Sequence, residues 1–206
     1  MKRFISLCLS LAFGIGCATT GNINVLTRDG IDTSNSKIVV FPLLLWDGKQ
    51  ITSANSSYSN PLADGVIAKT WTSGVGKDNI VVVPRQAIDR IPRAYEAMNI
   101  IVHSFDAASS VERSGDLSGF IDTVTSQFGD GAMAIALVSA DKASYEKSGS
   151  IRLNMGLFDM KRLSWRWITK NAYTKGMVPI PYEKIVQDLV DQSYDALMKK
   201  TGGKIR

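Results

Sequence analysis

The sequence is poor in the side chains that most often build metal and disulfide sites. Its 206 residues include one histidine, His103, and two cysteines, Cys8 and Cys17. A single histidine excludes a multi-histidine metal site. Cys8 belongs to an N-terminal stretch that we expect to be removed, so the processed chain would have no pair of cysteines for a disulfide. We therefore expect the fold to be stabilised by packing.

Strong net charge and long apolar runs are also missing. The formal net charge is +5, and without Lys2 and Arg3 the balance is 22 basic against 19 acidic residues. That excess is too small to predict nucleic-acid binding. Beyond the N-terminal stretch, no segment approaches the ~20 apolar residues that span a bilayer. The stretch 129–131 (Gly-Asp-Gly) lacks the spacing of a phosphate-binding loop, and no G-x-S-x-G motif occurs, so the sequence predicts neither a cofactor nor an enzyme.

The N-terminus has the pattern of an export signal. Two cations precede an apolar run over residues 4–13, and Gly14-Ile15-Gly16, with a small residue directly before the cysteine, leads into Cys17. This pattern resembles a bacterial lipoprotein signal, whose cysteine is acylated and becomes the new N-terminus. Gly14 stands where such signals usually have a large aliphatic residue. The alternative is an ordinary signal peptide cleaved nearby, for instance after Ala18, with Cys17 lost. We favour acylation of Cys17, which would hold the protein at a membrane.

The chain divides into four parts on composition. We predict a signal peptide at 1–16, a flexible polar tether at 17–36, a single α/β domain at 37–200 and a tail at 201–206. No aspartate follows Cys17. By the sorting rule of enteric bacteria, this predicts the outer membrane as the location.

Apolar periodicity predicts alternating strands and helices in the domain. Continuous apolar runs indicate buried strands at 37–46, where Pro42 must mark an edge, a bulge or an end, and at 79–83 and 132–139. Helical spacing indicates helices from Pro61, over 85–91, over 94–105 (where a strand is the alternative), from a cap at Asp116, and over 182–197.

An antiparallel hairpin over residues 151–168 is the clearest β pattern. Its alternation predicts one apolar face and a turn at 159–162. Trp165 and Trp167, with Arg166 between them, are candidates for an exposed partner-binding platform; packing in the core is the alternative, and we favour it. Arg152 belongs with Arg166 and with residues 161–162 in a candidate basic patch, for which an ordinary solvated face is the alternative.

Other polar residues give weaker signals. His103 lies in an apolar stretch, and we expect it to be structural or merely exposed. Asp188, Asp191 and Asp195 follow one helix and indicate a solvated face.

The order of elements behind a secretory cysteine resembles a group of envelope lipoproteins and periplasmic domains. The residues that carry the likeness are 38–42 as first strand, 129–132 leading into the middle strand, and 157–165 around an Asp-containing turn that is followed by Trp. The group includes the LpoB-type activators of penicillin-binding proteins, the N-terminal domain of TolB and the lipoprotein CsgG. The likeness covers roughly 37–199, and Lys161 and Arg162 replace the usual Thr-Gly. It implies an α/β sandwich with helices on a mixed sheet, and binding to other envelope components without catalysis.

These observations predict a non-enzymatic, lipid-anchored binding or scaffold module of the cell envelope. Its partners would be the membrane, through Cys17, and other envelope proteins. The alternative is a binder of a small ligand or cell-wall polymer beside the Trp165/Trp167 hairpin. An envelope hydrolase is the least supported hypothesis, because it would need His103 hydrogen-bonded to a serine and a carboxylate.

Overall fold

Apolar runs build the centre of a mixed sheet, because a strand covered on both faces needs apolar side chains on both. The computed structural model describes residues 24–27, 37–51, 61–107, 110–176 and 180–200. Its strands are β1 Asn24–Thr27, β2 Ile38–Val40, β3 Leu44–Leu45, β4 Ile80–Val82, β5 Ala132–Val138, β6 Ser150–Asp159 and β7 Ser164–Thr174. Its α-helices are α1 Pro61–Val75, α2 Arg85–Ile88, α3 Ala94–His103, α4 Gly115–Phe128, α5 Lys142–Ser148 and α6 Tyr182–Lys200. The helix predicted over 94–105 is confirmed.

The strands lie in the order β1-β7-β6-β5-β2-β4, and β3 also pairs with β5. β2 and β3 run parallel to β5, and β4 runs parallel to β2. The pairs β5–β6, β6–β7 and β1–β7 are antiparallel. β4 was predicted to be buried, but it lies at the edge, and Val82 there is 47 % exposed.

Helices cover both faces of the sheet, which confirms the predicted α/β sandwich. One face carries α1 and α6, and the sheet residues packed there include Ile38, Ala134 and Leu153. The other face carries α3 and α4 over residues such as Val39, Ile135 and Phe158. β5 is buried along its whole length because it lies between the two layers.

Pro42 divides the first apolar run into β2 and β3, as its missing N–H predicted. The backbone of Leu43 then bonds to side chains instead of a neighbouring strand. Its N–H donates to Asp64 Oδ1 at 2.8 Å, and its carbonyl accepts from Arg85 Nη2 at 2.7 Å. Asp64 and Arg85 also pair with each other at 2.9 Å. This ion pair therefore satisfies the polar groups that the break exposes.

Two sequence predictions were wrong, one about the tether and one about a helix cap. The tether predicted at 17–36 contains β1, whose four residues pair with β7 from Asn24↔Lys170 to Thr27↔Trp167. The rest of that interval, the signal peptide with Cys17, and the tail at 201–206 lie outside the described residues. Helix α4 is capped by Ser114, whose hydroxyl accepts from the Leu117 N–H, and not by Asp116.

A β-bulge in the hairpin changes which way its tryptophans face. Leu157 pairs with Trp167 and Phe158 pairs with Trp165, so Arg166 is an extra residue on β7. An extra residue breaks the period of two along a strand. Trp165 consequently packs under α3 and α4, whereas Trp167 packs under α6. The prediction of a single apolar hairpin face was therefore wrong.

Candidate functional site

One half of the hairpin is covered by helices on only one face. On the α6 side, buried residues follow the strands from the pair Ile151 and Tyr173 to the pair Leu157 and Trp167. On the α3/α4 side, the buried hairpin residues, Phe158, Met160, Trp165 and Ile168, all lie toward the turn. We name the turn half the closed end and the half that starts at Ser150 the open end.

A cleft of about 780 Å³ occupies the uncovered face of the open end. We name it the polar cleft. Its floor is formed by Arg152 and Asn154 of β6 with Lys170 and Ala172 of β7. The register pairs Arg152 with Ala172 and Asn154 with Lys170, so these four residues form a block on one face. The cleft also lies beyond Val138, at the carboxyl end of β5, where open α/β sheets commonly place their ligands.

Residues 46–51, which follow β3, form one wall of the polar cleft and are held in place by several hydrogen bonds. The N–H of Trp46 donates to the Val138 carbonyl at 2.9 Å. Asn99 of α3 accepts from the Ile51 N–H at 2.6 Å and donates to its carbonyl at 2.8 Å. His103 Nε2 lies 2.6 Å from the carbonyl oxygen of Lys49. These contacts fix the wall before any ligand arrives.

Asp47 stabilises the turn in this wall. Its carboxylate accepts from the N–H groups of Gln50 and Lys49, and these bonds hold the pKa of Asp47 below its ordinary value of 3.8. The carboxylate therefore stays ionised at neutral pH. Across the cleft, Lys170 Nζ pairs with Asp106 Oδ1 at 2.5 Å.

Helix α5 provides the opposite wall through Ser144 and Ser148. The helix begins at Asp141, whose carboxylate accepts from the Ser144 N–H at 2.7 Å. Hydrogen bonds from Ser144 lower the pKa of Asp141 below 3.8. Gly149, with φ of 70°, ends the helix in the left-handed conformation and allows β6 to start immediately.

The structure separates the residues that the sequence grouped as a binding platform. Trp165 and Trp167 are each 1 % exposed and lie on opposite faces of the sheet. Arg166 is 8 % exposed and pairs with Asp159 at 2.9 Å. The hypothesis of an exposed aromatic platform is therefore wrong, and the favoured alternative, core packing, is confirmed. Arg152 is exposed and lies in the polar cleft. Cys17 lies outside the described residues.

The closed end belongs to the hydrophobic core. The indole of Trp165 contacts the rings of Phe105 and Phe158 edge-on, with centroids 4.6 and 5.3 Å away. Its Nε1 donates to Ser104 Oγ at 2.8 Å. Asp159 accepts from the N–H groups of the turn at 161 and 162, in addition to the Arg166 guanidinium.

Within the described residues, the other polar side chains that the sequence singled out make contacts that stabilise the fold. The ring of His103 contacts the backbone carbonyl of Lys49. Asp188 pairs with Lys184, and Asp191 accepts from Thr70 Oγ1. The described part of the chain contains no group of three or more metal-binding side chains. None of the helices found there combines the length and the apolar character that crossing a bilayer requires.

Sequence reasoning missed Trp46, Asn154 and Lys170 as residues of a common site. A signal was present, because Arg152 and Asn154 alternate with apolar residues that one helix layer covers. A strand with one polar face needs a solvated surface on that face. Which end stays solvated depends on where α3 and α4 lie, and local pattern does not encode that.

No protein-family model matches the chain, and no curated protein matches it. Similar solved structures include PelC from Paraburkholderia phytofirmans, described as a dodecamer, with a TM-score of 0.47 and 10 % identity over 85 % of this chain and 96 % of that chain. They also include the lipoprotein GNA1162 from Neisseria meningitidis, with a TM-score of 0.37 and 13 % identity over 82 % of this chain and 99 % of that chain. TM-scores of this size do not establish a common fold.

Proposed function

We propose that this protein is a lipid-anchored, non-enzymatic binding module of the bacterial cell envelope, most consistent with the outer membrane. The observation that carries the proposal is the N-terminal pattern: two cations, an apolar run over 4–13 and a small residue, Gly16, directly before Cys17. Such a pattern directs export, and acyl chains on the cysteine would then hold the domain at a membrane.

A rigid scaffold with an open polar surface supports the binding role. The sheet is buried between two helical layers, whereas the polar cleft exposes charged and amide side chains on fixed strands. The resemblance to the domains of TolB, LpoB and CsgG, carried by residues 38–42, 129–132 and 157–165, supports other envelope proteins as partners.

The anchor is tested by metabolic labelling with a clickable palmitate analogue in a bacterial host. The wild-type chain is expected to take up label, and Cys17→Ala is expected to take up none. Cys8→Ala is the matched control, because it removes the other cysteine but leaves the acceptor, and it should label like the wild type. Label on Cys17→Ala, or an unacylated N-terminus downstream of residue 17 in the wild type, would overturn the anchor.

Partner binding is tested by crosslinking in intact envelopes, followed by purification and mass spectrometry. A reproducible envelope protein crosslinked to the wild-type chain is expected. A chain that remains uncrosslinked, although it is correctly labelled and located, argues against the scaffold role.

The polar cleft favours a second candidate function, the binding of a small ligand or envelope polymer. The site differs from the one predicted beside Trp165 and Trp167, since both indoles are buried. A cleft of about 780 Å³ is within the range of roughly 300–1,000 Å³ that is typical of ligand sites. Equilibrium dialysis of the full chain against envelope extracts, with Asn154→Ala as the variant, tests it. Equal retention by both chains would count against the cleft.

A further inference from the structure

We propose that the polar cleft binds carbohydrate, in the form of an uncharged oligosaccharide segment that lies along the β6–β7 floor. This inference deepens the second candidate function and rests on it.

The charges of the polar cleft balance. Arg152 and Lys170 are the cations in its lining, and Asp47 and Asp106 are the acids. Lys170 is paired with Asp106, and the Asp47 carboxylate already accepts two backbone N–H groups. A phosphorylated or polyanionic ligand would need an excess of cations, which this lining does not offer. The balance favours a polar ligand without net charge.

The floor presents groups that match hydroxyls. The amide of Asn154 both donates and accepts hydrogen bonds, and the Arg152 guanidinium offers five donors. Within the described parts of the chain, no side chain pairs with either group. Sugar hydroxyls also donate and accept, so each can be matched on this floor. Arg152 and Asn154 are two residues apart on one strand, which places them about 7 Å apart along the path of an extended ligand.

Trp46 adds an aromatic surface beside these polar groups. Its side chain is partly exposed and lines the polar cleft, while its backbone is bonded to Val138. An aromatic ring offers apolar area at one edge of a polar site, which suits the C–H face of a sugar ring. The hydrogen bonds of Asn99 and His103 to the same loop hold the wall in place, so binding would not require this loop to be ordered first.

Among the four tryptophans, Trp46 is a selective reporter of binding. Trp71, Trp165 and Trp167 are at most 1 % exposed, whereas Trp46 is partly exposed. A ligand in the polar cleft is therefore expected to change the fluorescence of Trp46 and to leave the other three indoles unaffected. The change should disappear in Trp46→Phe.

The test uses the full chain, purified in a detergent without a sugar headgroup. Cellohexaose and chitohexaose are the uncharged probes, and hexagalacturonate is the anionic one. We expect saturable binding of at least one uncharged probe, measured by fluorescence and by calorimetry. Asn154→Ala and Arg152→Ala should each raise its Kd about tenfold, because each removes a hydrogen-bonding group. Arg162→Ala, at the exposed turn of the closed end, is the matched control and should leave Kd unchanged.

Two results would overturn the proposal: no saturable binding of either uncharged probe, whether or not hexagalacturonate binds, or an equal loss of affinity in Arg162→Ala. The palmitate labelling of Cys17 is independent of these results. Failure of the carbohydrate test, with retention of another envelope compound that Asn154→Ala still weakens in the dialysis experiment, would refute this inference and leave the second candidate function standing. Equal retention by both chains in that dialysis would refute the second candidate function itself.

Discussion

The two ends of the β6–β7 hairpin share one strand pair but differ in what covers them. At the closed end, α3 and α4 bury Trp165 against Phe105 and Phe158. At the open end, the equivalent face carries Arg152 and Asn154 and borders the polar cleft. The opposite face is buried by α6 at both ends. The extent of one helical layer, and not the strand pairing, therefore divides this hairpin into a structural part and a candidate binding part.

The largest effect is expected from Trp165→Ala, because it removes a buried ring system from the closed end. The free energy of unfolding should fall by about 3–5 kcal/mol. Urea unfolding followed by circular dichroism measures it. Arg152→Ala at the open end is the control and should stay within about 0.5 kcal/mol of the wild type. Equal losses would abolish the distinction between the two ends.

Asp159→Ala is expected to have the next largest effect. It leaves the Arg166 guanidinium, at 9 % side-chain exposure, without its carboxylate and frees the turn N–H groups. We expect a loss of about 2–3 kcal/mol in urea unfolding. Asp130→Ala breaks a neighbouring pair with Lys161 whose side chains are 54 % and 64 % exposed, and it should cause no measurable change. A loss of the same size in both variants would contradict the assignment.

Gly156→Ala tests the close packing between the two tryptophans. A Cβ there would lie 2.7 Å from Cζ3 of Trp165 and 2.8 Å from the carbonyl oxygen of Trp167. Overpacking of this kind costs about 1–3 kcal/mol. Gly119→Ala is the matched control: no atom lies within 4 Å of its Cβ position on α4, so the substitution should stabilise by up to about 1 kcal/mol. If Gly156→Ala leaves the free energy of unfolding unchanged, the closed end is loosely packed.

The smallest effect is expected at the open end, from the cap of α5. Asp141→Ala should cost about 1 kcal/mol at pH 7. Since hydrogen bonds lower the pKa of folded Asp141, its ionised form contributes stability above the unfolded pKa near 3.8. That contribution is lost as the pH falls through the lower folded value. Asp141→Asn keeps a capping side chain but cannot titrate, so its stability relative to the wild type should improve between pH 7 and pH 3. A difference in the free energy of unfolding between Asp141→Asn and the wild type that does not change with pH would contradict the capping role of the Asp141 carboxylate.

The parts of the fold with strong local periodicity were predictable from the sequence. β5 reads as a buried strand because apolar residues occupy both of its faces, and α6 reads as a helix because one stripe of it is apolar. The break at Pro42 followed from its missing N–H. Each of these features depends on a few neighbouring residues, which is why the sequence is sufficient for them.

Features that depend on distant parts of the chain were not predictable. No signal in the neighbouring sequence predicts the bulge at Arg166, yet the bulge moves Trp165 and Trp167 to opposite faces of the sheet. β1 is four residues long and becomes a strand only by pairing with β7. The candidate site could be predicted only in part: Arg152 was recognised as polar and exposed, but its neighbours in the cleft come from other strands and from the loop after β3.

If Cys17 carries a lipid anchor as proposed, the pairing of β1 with β7 limits how far the domain can stand from the bilayer. Seven residue steps separate Cys17 from Asn24, and a fully extended chain covers at most about 25 Å over that distance. Had the domain begun at Lys37, the same calculation would allow about 70 Å. Asn24 is the register partner of Lys170, which lies in the cleft floor. If Cys17 is acylated as proposed, the end of β1 that borders the cleft would lie within about 25 Å of the acylated cysteine, so the ligands of the cleft would be molecules close to the membrane surface.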